Sequence, residues 1–298
     1  MIEQLRETCR RLLDEGSVQV IIGYGDSLPG KPARPLFIRK SEDVDQLTWG
    51  PHCLPNLTAY LKRKEVKALG NAAVIVKGCD EKALVVLTKE SQVDRASLHV
   101  IGMACDGVGA PKCAGCKVRT PRFADEVIGT PSDAEPKAGT RPVTLEDLMA
   151  KTPAERWDFW KGEFARCVKC YACRQVCPLC YCERCIADKN RPQEILTSAS
   201  LTGNFAWHIA RAFHLAARCV ECGECTRACP AGIPLALLNR ALSTRLEKLG
   251  LTVRFESGRM RAYFTSLDGT PREISYRSTF KQARRTVAKP IVSRSTGK

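Results

Sequence analysis

The sequence predicts an α/β N-terminal domain with a small parallel sheet, then a mostly helical, cysteine-rich domain and an extended basic C-terminal tail. Three observations carry this. The apolar run AAVIV at 72–76 is followed by a helically spaced segment from Asp80, a plausible N-cap, and by a second apolar run, LHVIG at 98–102. Such a strand-helix-strand unit packs as a parallel pair with a right-handed crossover and presents ligands at the carboxyl ends of its strands. Eleven of the 17 cysteines lie between Cys167 and Cys229. Residues 271–298 hold eight Lys or Arg against one Glu, with few large apolar residues, so they cannot build a core and are expected to form an extended arm on a partner subunit.

Taken in order, MIEQLRETCRRLLDEG reads as a short amphipathic helix without the apolar stretch and cleavage site of a secretory signal, so a cytoplasmic protein is expected. VQVII at 18–22 and LFI at 36–38 read as strands. Gly25-x4-Gly30-Lys31 approaches a phosphate-binding loop, but Pro32 replaces the Ser or Thr that would bind magnesium, so it reads as a turn. WGPHCLPN places Cys53 in a Gly-Pro loop before a helix of Leu57, Tyr60 and Leu61. The segment 129–142, with three Pro and two Gly, reads as a linker. The chain is accordingly divided into a domain over 1–130, a linker over 131–142, a domain over 143–250 and a basic extension over 251–298.

After the linker, Thr144 can cap LEDLMA, and Thr152-Pro153-Ala154-Glu155 is a capping box opening a helix through Trp157, Trp160 and Phe164 that delivers Cys167. Residues 204–217 place Phe205, Ile209, Ala212, Phe213 and Ala216 on one helical face and end at Cys219. Each cysteine-rich segment is thus preceded by a helix, an internal repeat by position.

No apolar stretch of the 298 residues approaches the roughly 20 needed to span a bilayer, so no membrane span is expected. In a reducing compartment the cysteines do not read as a disulfide framework. The formal net charge of +15 invites a nucleic-acid reading. Three four-thiolate cubanes would remove about six charges, and most of the remaining excess lies in the tail, so no nucleic-acid partner is expected.

Cys167-x2-Cys170-x2-Cys173-x3-Cys177-Pro178 and Cys219-x2-Cys222-x2-Cys225-x3-Cys229-Pro230 both match the bacterial ferredoxin run. In such runs three cysteines wrap one cubane while the fourth ligates the other. Cys167, Cys170, Cys173 and Cys229 are therefore expected on one [4Fe-4S] cluster, and Cys219, Cys222, Cys225 and Cys177 on a second. Zinc is the rival occupant, though structural zinc sites pair two C-x2-C turns rather than three cysteines at successive spacing. Cys79, Cys105, Cys113 and Cys116, from two strand ends and a C-x2-C, are expected to hold a third cluster. Cys180, Cys182 and Cys185 in PLCYCERC remain, and a fourth cluster bridging the domains is expected on these three with Cys53. His208, His214, Tyr171, Tyr181 and Trp160 are read as packing residues.

GCDEKALVVL around Cys79, IGMACDG around Cys105 and CAGCKVRTPRFADEVIG resemble the iron-sulfur region of the beta subunits of deazaflavin-reducing hydrogenases and formate dehydrogenases. RCVKCYACRQVCPLCYCERC and HLAARCVECGECTRACPAGIP resemble the dicluster ferredoxin half of proteins that accompany hydrogenases, formate dehydrogenases and heterodisulfide-reductase-like flavoproteins. The resemblance implies an electron-transfer subunit with three or four [4Fe-4S] clusters, partnered by flavoprotein, hydrogenase or formate dehydrogenase subunits. It also raises FAD, but the longer flavin-binding region of the flavin-carrying subunits has no counterpart found between Gly109 and the linker, so only the cysteine ligands carry over. No positioned acid, base or nucleophile accompanies the motifs. Two alternatives stay open: a flavin-dependent oxidoreductase subunit reducing a deazaflavin, ferredoxin or disulfide, and a zinc-containing nucleic-acid-binding protein.

Overall fold

A computed structural model describes residues 1–114, 116–140, 143–188, 191–216 and 218–248 together with the strand backbones 253–256, 259–265 and 271–275. Helix α1 (Ile2–Asp14) turns Leu5, Thr8, Cys9 and Leu12 into the core at a spacing of three to four residues, the face an amphipathic helix must bury. Strand β1 (Val20–Gly25) pairs antiparallel with β2 (Arg34–Ile38), and a 3-10 turn at Leu57–Tyr60 and a single helical turn, α2 (Lys64–Lys67), lead into β3 (Ala72–Lys77). Helix α3 (Gly78–Lys89), β4 (Leu98–Met103) and the short β5 (Glu126–Ile128) complete the N-terminal part.

The sheet order is β2-β1-β3-β4-β5, with β1, β3, β4 and β5 mutually parallel and β2 an antiparallel edge. Every residue of β1 and β3 is buried, which explains why these strands read as apolar runs rather than as alternating patterns. The register pairs Lys77 with Met103, so the chain leaves β3 and β4 side by side, bringing Cys79 and Cys105 to one edge. Asp80 does cap α3, but from the third helical position: the helix begins at Gly78, and the Asp80 carboxylate accepts the Lys77 backbone N–H at 3.3 Å. Strand β5 escaped the sequence reading because three residues carry no period.

Beyond the linker come α4 (Leu145–Ala150) and α5 (Pro153–Ala165), the second opened by the expected capping box and the first by Thr144, whose expected cap proves to be a full box with Asp147. Then follow α6 (Ala172–Gln175), α7 (Leu201–Leu215), α8 (Glu224–Arg227) and α9 (Leu235–Lys248). Helix α7 starts three residues earlier than its apolar face suggests because the Ser200 hydroxyl accepts the Gly203 N–H at 3.2 Å. An aromatic seam joins α5 to α7, with ring centroids 5.0 Å apart for Phe164 and Phe205 and 4.6 Å for Phe164 and His208. His208 and Trp160 therefore pack, as their positions imply.

Residues 253–275 carry a three-stranded antiparallel sheet, β6 (Val253–Glu256), β7 (Arg259–Thr265) and β8 (Pro271–Ser275), where the sequence suggested an extended segment. The arm is expected over residues 271–298; residues 271–275 form β8 in this sheet, and residues 276–298 lie outside the described residues. No helix of the described residues is long and apolar enough to cross a membrane.

The two parts meet along α3. Ala83, Val86 and Leu87 pack with Leu179, Leu215 and Val220, and the Tyr181 hydroxyl donates to the Glu90 carboxylate at 2.7 Å. The linker segment is itself used: Lys137 N–H donates to the Asp106 carbonyl at 2.8 Å and its carbonyl accepts from Gly109 N–H at 3.1 Å, holding this stretch against the loop that carries Cys105.

Candidate metal centres

The two ferredoxin-type runs take the same backbone shape. The second and fourth residues after the first cysteine have positive φ in both, Lys169 (56°) and Tyr171 (58°) in one and Glu221 (57°) and Gly223 (75°) in the other. A four-residue helix follows each, α6 and α8. Left-handed residues in alternation curl the backbone so that N–H groups face inward, the concavity that receives an anion. Lys169 N–H, for one, donates to Cys167 Sγ at 3.4 Å. Three of these four positions place a side chain in the left-handed region, at a cost in backbone strain.

The thiols sort into two exchanged groups. Cys167 has Cys229 and Cys170 as its thiol neighbours, and Cys173 has Cys167 and Cys229. Cys219 faces Cys222 and Cys177, and Cys225 faces Cys219 and Cys177. Each run thus sends its last cysteine to the other run's loop. Buried Asn204 anchors the first loop, donating from Nδ2 to the Phe164 carbonyl at 2.7 Å and the Cys167 carbonyl at 2.9 Å. Arg211 lies between the groups, donating to the Cys173 carbonyl at 3.1 Å with Cys225, Cys177, Cys180 and Cys173 as charged neighbours that hold its pKa up against burial. Burial pushes the Cys219 and Cys225 thiols up to about 12, so metal must displace their protons.

Cys79, Cys105, Cys113 and Cys116 line a single cavity. Cys79 stands in the first turn of α3, Cys105 just past β4, and the other two on the following loop. Two glycines permit the closure. A Cβ on Gly78 would come within 2.3 Å of the Val118 carbonyl, and Gly107, at φ 92°, passes as closely to the Lys137 backbone. Gly107 N–H donates to Cys105 Sγ and Val108 N–H to Cys113 Sγ, each at 3.4 Å. Burial pushes the Cys79 thiol up to about 11. The floor holds a buried ion pair, Lys77 Nζ to Asp80 at 2.7 Å, with the Lys77 ammonium also donating to the Pro55 carbonyl at 3.1 Å.

Lys112 lines the same cavity in an unusual posture. Its residue is only half-buried, yet Nζ is buried, with the Cys79 thiol as its side-chain hydrogen-bond neighbour. A surface lysine normally buries its stem and sends the ammonium to water. Lys112 does the reverse. Burial works to lower its pKa, but the Cys79 and Asp80 charges raise it overall, and Cys222 of the second ferredoxin run adds to them. A desolvated ammonium is costly unless an anion compensates it. The donor set therefore fits an anionic iron-sulfur cluster.

Among the described residues no three His, Cys, Asp or Glu side chains form a group suited to a single metal ion. Tetrahedral zinc gathers its thiolates at about 2.3 Å around one atom, whereas a cubane gives each thiolate its own iron corner and takes a wider set.

Cys180, Cys182 and Cys185 line another cavity, between the two parts of the chain, but Cys53 does not join them. Cys53 N–H donates to the Gly50 carbonyl at 3.0 Å, a turn that drives the side chain into the N-terminal core, where it is fully buried near Lys77 and Cys105. The expected four-cysteine bridge between the domains is corrected accordingly. Sequence reading also missed Lys62, Lys77, Lys112 and Arg211, because a cation that serves a distant loop leaves no periodic signal.

A family model described as a 4Fe-4S dicluster domain matches residues 166–234. The F420-dependent formate dehydrogenase subunit beta of Methanocaldococcus jannaschii is 22% identical over 314 aligned positions, covering 71% of this chain and 80% of that protein. The F420-dependent formate dehydrogenase 1 subunit beta of Methanococcus maripaludis is 23% identical over 274, covering 58% of this chain and 70% of its own length. Residues 166–234 are thus a 4Fe-4S dicluster domain, and the chain that carries them is an iron-sulfur electron-transfer protein related to these formate dehydrogenase beta subunits.

Proposed function

We propose that the chain is a one-electron wire of three [4Fe-4S] clusters in a multi-subunit oxidoreductase of the formate dehydrogenase type. Cys167, Cys170, Cys173 and Cys229 hold one cluster, Cys219, Cys222, Cys225 and Cys177 the second, and Cys79, Cys105, Cys113 and Cys116 the third. The observation that carries the reading is the meeting of Cys79, Cys105, Cys113 and Cys116 in one cavity that Lys112 also lines, beside two ferredoxin-type runs whose loops share their left-handed positions. Cys225 of the second group has Cys173 of the first among its neighbours. A continuous sequence of sites supports electron transfer rather than three separate structural centres.

Each cluster, when bound, supplies a one-electron couple. The chain's own residues set the conditions: backbone N–H groups donate to cysteine sulfur, Lys112 and Arg211 compensate the charge of the reduced state, and the packed α3 face limits water. Bond chemistry on a substrate falls to a partner subunit, as the beta-subunit names of the relatives suggest. Anaerobic isolation with iron and sulfide assays tests the reading. At least about 12 irons per chain and a magnetically coupled EPR spectrum on full reduction are expected. Stoichiometric zinc with little iron would overturn it.

A further inference from the structure

The cavity between the two parts of the chain holds three thiols that the three-cluster wire does not use. Cys180, Cys182 and Cys185, three thiols within six residues, line it together. Seven Lys and Arg side chains line it against two carboxylates, Glu183 and Asp188. Both carboxylates are already paired, Glu183 with Lys64 at 2.9 Å and Asp188 with Arg174 at 2.8 Å. The positive excess includes Lys62 and Arg211, and it marks a place for a compact anion. Cys182 is exposed, so the cavity reaches solvent. Cys180 lies near Arg211, and its side chain is hydrogen-bonded to that of Cys177, so this thiol stands at the edge of the proposed second cluster. Three thiols are one short of a cubane's four corners, and Cys9 and Cys53, the two cysteines left by count, are both fixed in the opposite core.

Resting on the wire reading above, we propose that Cys180, Cys182 and Cys185 hold a further [4Fe-4S] cluster by three thiolates only, its fourth iron open to the cationic cavity. Such a site differs from the other three in kind. A fully ligated cubane passes electrons, whereas an iron without a protein ligand also accepts an external anionic donor, such as a thiolate or carboxylate. The surrounding ammonium and guanidinium groups favour that charge. The open iron is also the one that is lost on oxidation. Ferricyanide takes one electron from the [4Fe-4S]2+ core to give the 3+ state, which releases Fe2+ and leaves [3Fe-4S]+, so charge and iron both balance.

The test compares the full chain with its Cys182→Ala variant, both reconstituted anaerobically. The substituted side chain is exposed, and Cys185→Ala serves as a second variant should the first misfold. The wild type is expected to hold about four irons more than either variant and, after one equivalent of ferricyanide, to show a [3Fe-4S] EPR signal that the variants lack. Equal iron in wild type and variants would sink the site. A four-iron difference without the oxidised signal would overturn the open corner. The wire reading is scored separately, by whether the variants still retain about 12 irons.

Discussion

The Lys62 ammonium, on the N-terminal part, donates to the Cys180 carbonyl at 2.7 Å and also to the carbonyl of Cys177. One side chain thus clamps the sheet-bearing part onto the ferredoxin-type loops, at the point where the second cluster group and the three-cysteine cavity meet. Burial lowers the Lys62 pKa, a cost accepted for two carbonyl partners. Lys62→Met should keep the aliphatic stem and lose the clamp, destabilising the junction by about 1.5–3 kcal/mol. Limited proteolysis between the two parts should accelerate while iron content of the dicluster domain holds. Unchanged proteolysis would mean that the apolar contacts of α3 suffice.

Lys112→Met removes the buried ammonium beside the third cysteine group. Because a fixed positive charge favours the more negative, reduced cluster, its loss should move one cluster to a lower potential, by an amount on the order of tens of millivolts. A redox titration followed by EPR reads this directly, and Lys112→Arg should restore most of it. Identical titrations for wild type and Lys112→Met would remove Lys112 from any electrostatic role.

His208 gives a pH signature. Its ring is buried against Phe164, and burial, with Arg211 and Lys169 adding to it, lowers its pKa to about 4 from an ordinary 6.5. The unfolded chain therefore takes up the proton first as pH falls, so stability present above 6.5 is lost progressively toward 4. Between pH 7 and pH 5 this amounts to about 2 kcal/mol. Denaturant unfolding of His208→Leu should show a correspondingly shallower loss over that interval. An unaltered slope would place the acid sensitivity elsewhere.

Cys53→Ala separates a core thiol from a ligand. With its side chain in the N-terminal core, the change should cost about 1 kcal/mol of stability and leave iron content untouched. Loss of about four irons would return Cys53 to the set of ligands.

The local pattern of the sequence determined much of this protein. Two repeated cysteine runs required matching loops, and those loops share their left-handed positions residue for residue. Thr144 and Thr152 fixed two helix starts through bonds to residues three positions on, and the apolar runs at 72–76 and 98–102 became neighbouring parallel strands. All of these are short-range signals, in which the residues that interact are near in the chain. The tertiary structure alone decided where Cys53 points, because a single turn closing on Gly50 sets the side-chain direction and the core behind it does the rest. It alone brought Lys112 from its own loop toward Cys222, 110 positions further on, and Lys62 onto Cys180. Charge compensation of this kind needs only that a cation arrive at the right point in space. Any lysine in the chain could have done so, and nothing in the spacing of the residues says which one does.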